Sequence, residues 1–164
     1  MADSDLFMKI TGDKQGEIKG ESKKTGKEDQ TELTNFSISA NQPGSYGAHS
    51  GGGSGKVSFS DISFSSTINK QTPLLFMAMK NHEHLTEVIF TARKGVGDSQ
   101  QDFYIIKLTD AVLTEYSVQA HGGGPPSVNG RVNYKQIEII YKEQLPDQTL
   151  GEDIIATFDQ SLGA

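Results

Sequence analysis

The stretch Gly51–Met79, GGGSGKVSFSDISFSSTINKQTPLLFMAM, holds three kinds of local order in one line. It opens on a glycine run, passes into alternation and ends in a helix-forming segment. The run His49–Val57, HSGGGSGKV, first suggests a phosphate cradle. That motif needs Gly at position 50, Ser or Thr after the lysine, and a helix whose N-terminal amides receive the phosphate. Ser50 and Val57 occupy the two positions, and Val57-Ser-Phe-Ser reads as a strand. The glycines are therefore read as a flexible loop feeding a strand.

Alternation sets the fold class. Val57 and Phe59 share one phase, while Ile62, Phe64 and Ile68 share the other, so a bulge is expected near Ser60-Asp61. Period two also marks Leu6, Met8 and Ile10, and the run from Leu33 through Phe36, Ile38 and Ala40. There Asn35, Ser37 and Ser39 take the opposite face. Val132 and Tyr134 are again out of phase with Ile137, Ile139 and Tyr141. Val88–Ala92 and Phe103–Val118 add strands joined through a polar turn at Asp98–Gln101, and Asp153–Phe158 reads as a weak last strand. Long strands that bend at bulges fit a barrel or a strongly curved sheet. One helix interrupts them, at about 73–81, with Thr72 as its N-cap and Pro73 at its first position.

The expected architecture is mainly β: a small barrel of curved antiparallel strands with one short helix and a long extended loop. A single domain of 164 residues is expected. The barrel occupies 1–142, and 143–164 forms an acidic C-terminal segment. Two loops are long, Asn41–Gly55 with six glycines and His121–Gly130 with Gly-Gly-Gly-Pro-Pro, and loops of that length are usually functional or disordered.

Charge excludes several functions. The net charge is −6, and five acids with no Lys or Arg lie between Glu143 and Ala164. An acidic chain has no general electrostatic reason to hold nucleic acid. Lys14, Lys19, Lys23, Lys24 and Lys27 are interleaved with Glu17, Glu21, Glu28, Asp29 and Glu32, so this segment reads as a solvated, neutral loop. No cysteine is present, which removes disulfides, thiolate metal sites and a cysteine nucleophile. No apolar run approaches the roughly 20 residues of a membrane span, and the acidic N-terminus does not resemble a signal peptide. The expectation is synthesis in the cytoplasm and, if the protein is exported, a route without a cleaved leader.

Catalytic and metal motifs fail on inspection. His82-Glu83-His84 lacks the second His of H-E-x-x-H, because Leu85 stands there, and reads as a polar turn. Ser54 lacks the glycine that a nucleophile elbow needs at position 56, where Lys56 stands. Glu152 and Asp153 point apart on a strand. Asn35-Phe36-Ser37 matches a glycosylation sequon, a three-residue pattern common by chance. No nucleophile, base and oxyanion site come together, and no enzyme, cofactor or metal is expected.

In its order of parts, Gly52–Met79 resembles the central signature of the haemolysin-coregulated proteins, the tail-tube subunits of type VI secretion systems. Three other blocks agree: FMKITGDKQGEIKGES at Phe7–Ser22, the long strand Phe103–Gly123 with its glycine loop, and Val132–Tyr141. The tryptophans frequent in that family are missing, and Phe36-Ser37-Ile38 stands at the place of one set. The resemblance implies a bacterial β-barrel protein that forms homohexameric rings stacked into a secreted tube. Its implied partners are further copies of itself, a spike protein, a contractile sheath and small effectors sheltered in the lumen. It implies a loop reaching a neighbouring subunit, here Gln42, Pro43, Gly44, Ser45, Tyr46, Gly47, His49, Gly52 and Gly53. It implies a channel wall at Asn35, Ser37 and Ser39. The alternative is a non-stacking adaptor or effector-binding module with the same fold.

Overall fold

The computed structural model describes residues 5–44, 56–96 and 99–164. Nine of the described strands form one sheet. Strand β1 (Asp5–Gly12) is flanked on one side by β2 (Gly16–Ile18) and β3 (Thr31–Leu33). On its other side the sheet continues through β8 (Leu85–Val96), β9 (Ser99–Gln119), β10 (Ser127–Gln144), β7 (Ile62–Thr67) and β4 (Asn35–Ser37). Strand β11 (Leu150–Asp159) pairs the C-terminal half of β10, beyond β7 on the same edge. Strands β5 (Ala40–Asn41) and β6 (Ser58–Phe59) form a separate two-stranded ladder. All pairings are antiparallel.

The β class and the single short helix stand as expected, but the closed barrel does not. The segment Thr31–Ser37 spans the two edges of the sheet. Its first three residues pair with β1, and its last three with β7. At the switch, Thr34 bonds the Ser65 carbonyl through both its amide and its hydroxyl. Among the described residues no strand is laddered on both flanks across this gap. The sheet is open and strongly curved.

The phase flips have two physical origins. At Ser60-Asp61 the chain leaves one sheet for another, so the expected bulge is a strand switch between β6 and β7. The flip between Tyr134 and Ile137 belongs to a crease that crosses four strands. Leu108 and Ala111, Leu85 and Val88, and Tyr134 and Ile137 are all buried although each pair is three residues apart. Asp110, with φ of 55°, takes up the odd residue in β9, and the β1–β8 register shifts at Thr11/Gly12. Left-handed backbone at an Asp is tolerated, and the crease returns apolar residues to one face on both sides of the bend.

That face is the core: Met8, Ile10, Phe64, Phe90, Ile106 and Leu108 are all 1% exposed or less. The helix α1 (Gln71–Lys80) packs Leu75 and Ala78 onto it. Its N-terminus is capped by Asn69, not Thr72. Asn69 Oδ1 accepts from the Gln71 amide at 2.8 Å, and Thr72 Oγ1 accepts from the Asn69 amide at 3.1 Å. Pro73 lies in the first turn, and the Asn69 carbonyl that its missing N–H would have met accepts from the Thr72 amide at 3.0 Å instead.

The hairpin of β8 and β9 is tighter than the expected turn at Asp98–Gln101. Gln100 and Gln101 are already in the ladder, opposite Gly95 and Lys94. The loop expected at His121–Gly130 is likewise shorter, since β10 starts at Ser127.

Candidate functional site

Of the expected channel-wall residues, Asn35 and Ser37 share the exposed side of β4, and Ser39 lies beyond the strand. Asn35 and Ser37 are exposed on β4 opposite Ser65 and Ser63, while Phe36 turns inward, 5.4 Å from the Phe90 ring. Ser39 is exposed, and its amide donates to Ser60 Oγ at 2.9 Å. Ala40 departs from the expected alternation. It is exposed because it pairs with Phe59 in the small ladder rather than continuing β4. Gln42, Pro43 and Gly44 are exposed just beyond β5. Ser45, Tyr46, Gly47, His49, Gly52 and Gly53 lie outside the described residues.

The polar turn His82-Glu83-His84 is a structural clasp. Glu83 is buried, and its carboxylate accepts from the amides of Lys14 and Gln15 at 2.9 and 2.6 Å, and from Gln15 Nε2. A Cβ on Gly12 would touch this carboxylate, so glycine makes room for the clasp. His84 Nε2 meets Asp110 across the crease at 3.0 Å. Among the described residues no cluster of three or more His, Asp or Glu could hold a metal ion.

The loop read as solvated is mostly exposed, as expected, but it buries Lys27. It straps across the outer face of β1. Phe7 is fully buried beneath it, with Lys24 and Arg93 over its ring at 5.6 and 6.0 Å. Lys27 reaches Asp102 at 2.8 Å, and Arg93 Nε lies 3.2 Å from the same carboxylate. Arg93 also donates to the carbonyls of Thr25 and Gln100. The Asp5 carboxylate, bonded to Lys24, holds that ammonium above the usual lysine range.

Two further side chains have strongly displaced proton affinities. Burial, aided by the Asp61 charge, pushes Tyr134 up to about 12, and its hydroxyl donates to the Ser60 carbonyl at 3.0 Å. Hydrogen bonds from Ser161 and then Gln136 hold Asp159 at about 2. Both groups fasten chain segments.

Sequence reasoning missed two surfaces. Strand β11 is exposed along most of its length on both faces, with Ile154 at 64% and Ile155 at 54%. Helix α1 turns Leu74, Phe76 and Met77 to solvent, with Phe76 at 53%. The sequence did carry a signal for the second, since a helix apolar all round belongs inside something. For β11, the adjacent isoleucines indicated two apolar faces.

A curved antiparallel sheet with one helix and open apolar surfaces defines a mainly-β structural protein. The comparisons make this specific. Residues 7–141 match the family model described as Type VI secretion system effector, Hcp. Protein hcp1 of Pseudomonas aeruginosa is 33% identical over 144 residues, covering 87% of this chain and 86% of that one. A solved structure of a type six secretion system protein superposes with a TM-score of 0.88 at 19% identity, over 99% of both chains. The structure of Hcp1 from Salmonella typhimurium gives 0.78 at 23% identity, over 99% of this chain and 97% of that one. The chain belongs to the Hcp family of type VI secretion proteins.

Proposed function

We propose that this protein is the structural subunit of a type VI secretion tube, forming homohexameric rings that stack. Strand β11 carries the proposal: an open edge strand with Ile154 and Ile155 exposed is an association hazard unless another chain covers it. A ring covers every such edge with one repeated contact. Spike protein, contractile sheath and lumen-borne effectors are the partners that family membership supports. No catalytic step belongs to this reading. Among the described residues no helix is long and apolar enough to cross a membrane, and secretion is the destination that family membership supports.

In this reading Asn35, Ser37 and Ser39 line the channel, where small polar side chains suit varied cargo. The segment containing Gln42, Pro43, Gly44, Ser45, Tyr46, Gly47, His49, Gly52 and Gly53 contacts a neighbouring subunit. Electron microscopy of the purified protein at micromolar concentration tests the assembly. Six-fold rings are expected, and a uniform monomer would sink the proposal. Ser37→Gln should leave rings intact and change effector retention. Unchanged retention of every cargo tried would remove the channel assignment.

A further inference from the structure

We infer that the ring closes by seating β11 of one copy against the outer face of α1 of the next. This rests on the reading of the chain as a ring-forming subunit and names the two surfaces that meet. Among the described residues, neither surface is fully covered within its own chain. Helix α1 buries Leu75 and Ala78 on its inner side, yet Leu74, Phe76 and Met77 on its outer side are exposed. Strand β11 is bonded to β10 along one edge only among the described residues, and Ile154 and Ile155 emerge from its two faces. Covering an edge strand with a helix is a common way to satisfy such a surface.

Charge selects the pairing. From Ile68 to His82 the chain carries Lys70 and Lys80 and no acid, and both lysines are exposed. From Glu143 to Ala164 it carries five acids and no Lys or Arg, and of these Asp153 is paired with Lys142 of β10 at 3.4 Å. Two α1 surfaces would repel each other, and so would two β11 surfaces, whereas α1 against β11 is attractive.

Geometry makes the contact intermolecular. Phe76 packs on Tyr116, which pairs with Gly130, while Ile155 pairs with Ile140. Gly130 and Ile140 are ten residues apart on β10, up to roughly 33 Å along the strand. One chain cannot bring its own surfaces together. Two different surfaces meeting head to tail propagate from copy to copy and end only by closing into a ring.

The chain has no native cysteine, so disulfide trapping is clean. The double variant Phe76→Cys/Ile155→Cys, oxidised mildly, should give a ladder of covalent species ending at six on a non-reducing gel. Phe76→Cys/Ile154→Cys samples the other face of β11. Each single variant should stay monomeric on the same gel. Rings seen by microscopy with no ladder from either double variant would overturn the contact and leave the ring reading standing. Neither rings nor ladder would overturn both. A dimer from Ile155→Cys alone would replace the contact with β11–β11 pairing. A second readout is charge reversal: Lys70→Glu/Lys80→Glu should cut the ring fraction in native mass spectrometry about tenfold, and adding Glu152→Lys should recover part of it. An unchanged ring fraction in the lysine variant would count against the contact.

Discussion

Gly130 is placed by a neighbour's bulk. It lies inside β10, where a glycine usually costs stability, and a Cβ there would sit well inside 3.0 Å of the Phe64 ring. Gly130→Ala should lower unfolding free energy by about 1–3 kcal/mol, the range for overpacking. Phe64→Leu should offset part of that loss, and urea titrations of the two singles and the double would show the coupling. A Gly130→Ala protein as stable as the parent would mean the ring does not pack there. The sequence showed a glycine near a proline-rich loop, and nothing local revealed that an aromatic ring 66 positions earlier claims its space. Asp159 is a second case. Its carboxyl is held at about 2, below the ordinary 3.8, by Ser161 first and Gln136 next. A depressed carboxylate stabilises above its ordinary pKa and loses that contribution as pH falls through the folded value. Proton NMR of the Ser161 amide should therefore stay constant down to about pH 4 and shift toward pH 2. A midpoint near 4 would mean the turn is not formed. The group is exposed, so global stability should change little.

At the scale of elements, regular alternation was legible and cover was not. The face shared by Asn35 and Ser37 follows from period two, and so does the core phase of Met8 and Ile10. The helix was found from its proline, but its cap was misplaced because Asn69 and Thr72 are both capping types and only tertiary position decides between them. The strap over Phe7 was invisible for a different reason. Interleaved Lys and Glu read as solvated, yet Lys27 and Arg93 converge on Asp102 from far apart in sequence. Asp102→Asn would leave two largely buried cations without their counter-charge. Loss of about 1–3 kcal/mol is expected, less than for a fully buried pair because Asp102 is partly exposed. Hydrogen exchange should quicken across residues 20–30. The exposed pair His84–Asp110 is the control, and Asp110→Asn should cost under about 1 kcal/mol. Equal effects from the two variants would mean the strap is not held by its charges.

For the whole molecule, the open curved sheet and its uncovered surfaces belong together. A closed barrel would have no edges to satisfy. Here β11 extends beyond β7 along β10, and among the described residues its outer edge is unpaired. The sequence indicated curvature through its phase flips, but closure depends on the pairing of Thr31–Ser37, which divides between β1 and β7. The proposed assembly was suggested by the family resemblance alone, because a contact between copies leaves no periodic trace in one chain. The most direct test of the tube-subunit account is native mass spectrometry of the purified protein at micromolar concentration. The account predicts a dominant species at six times 17.8 kDa, with higher multiples of that mass as rings stack. A single species at 17.8 kDa across the concentration range would contradict it.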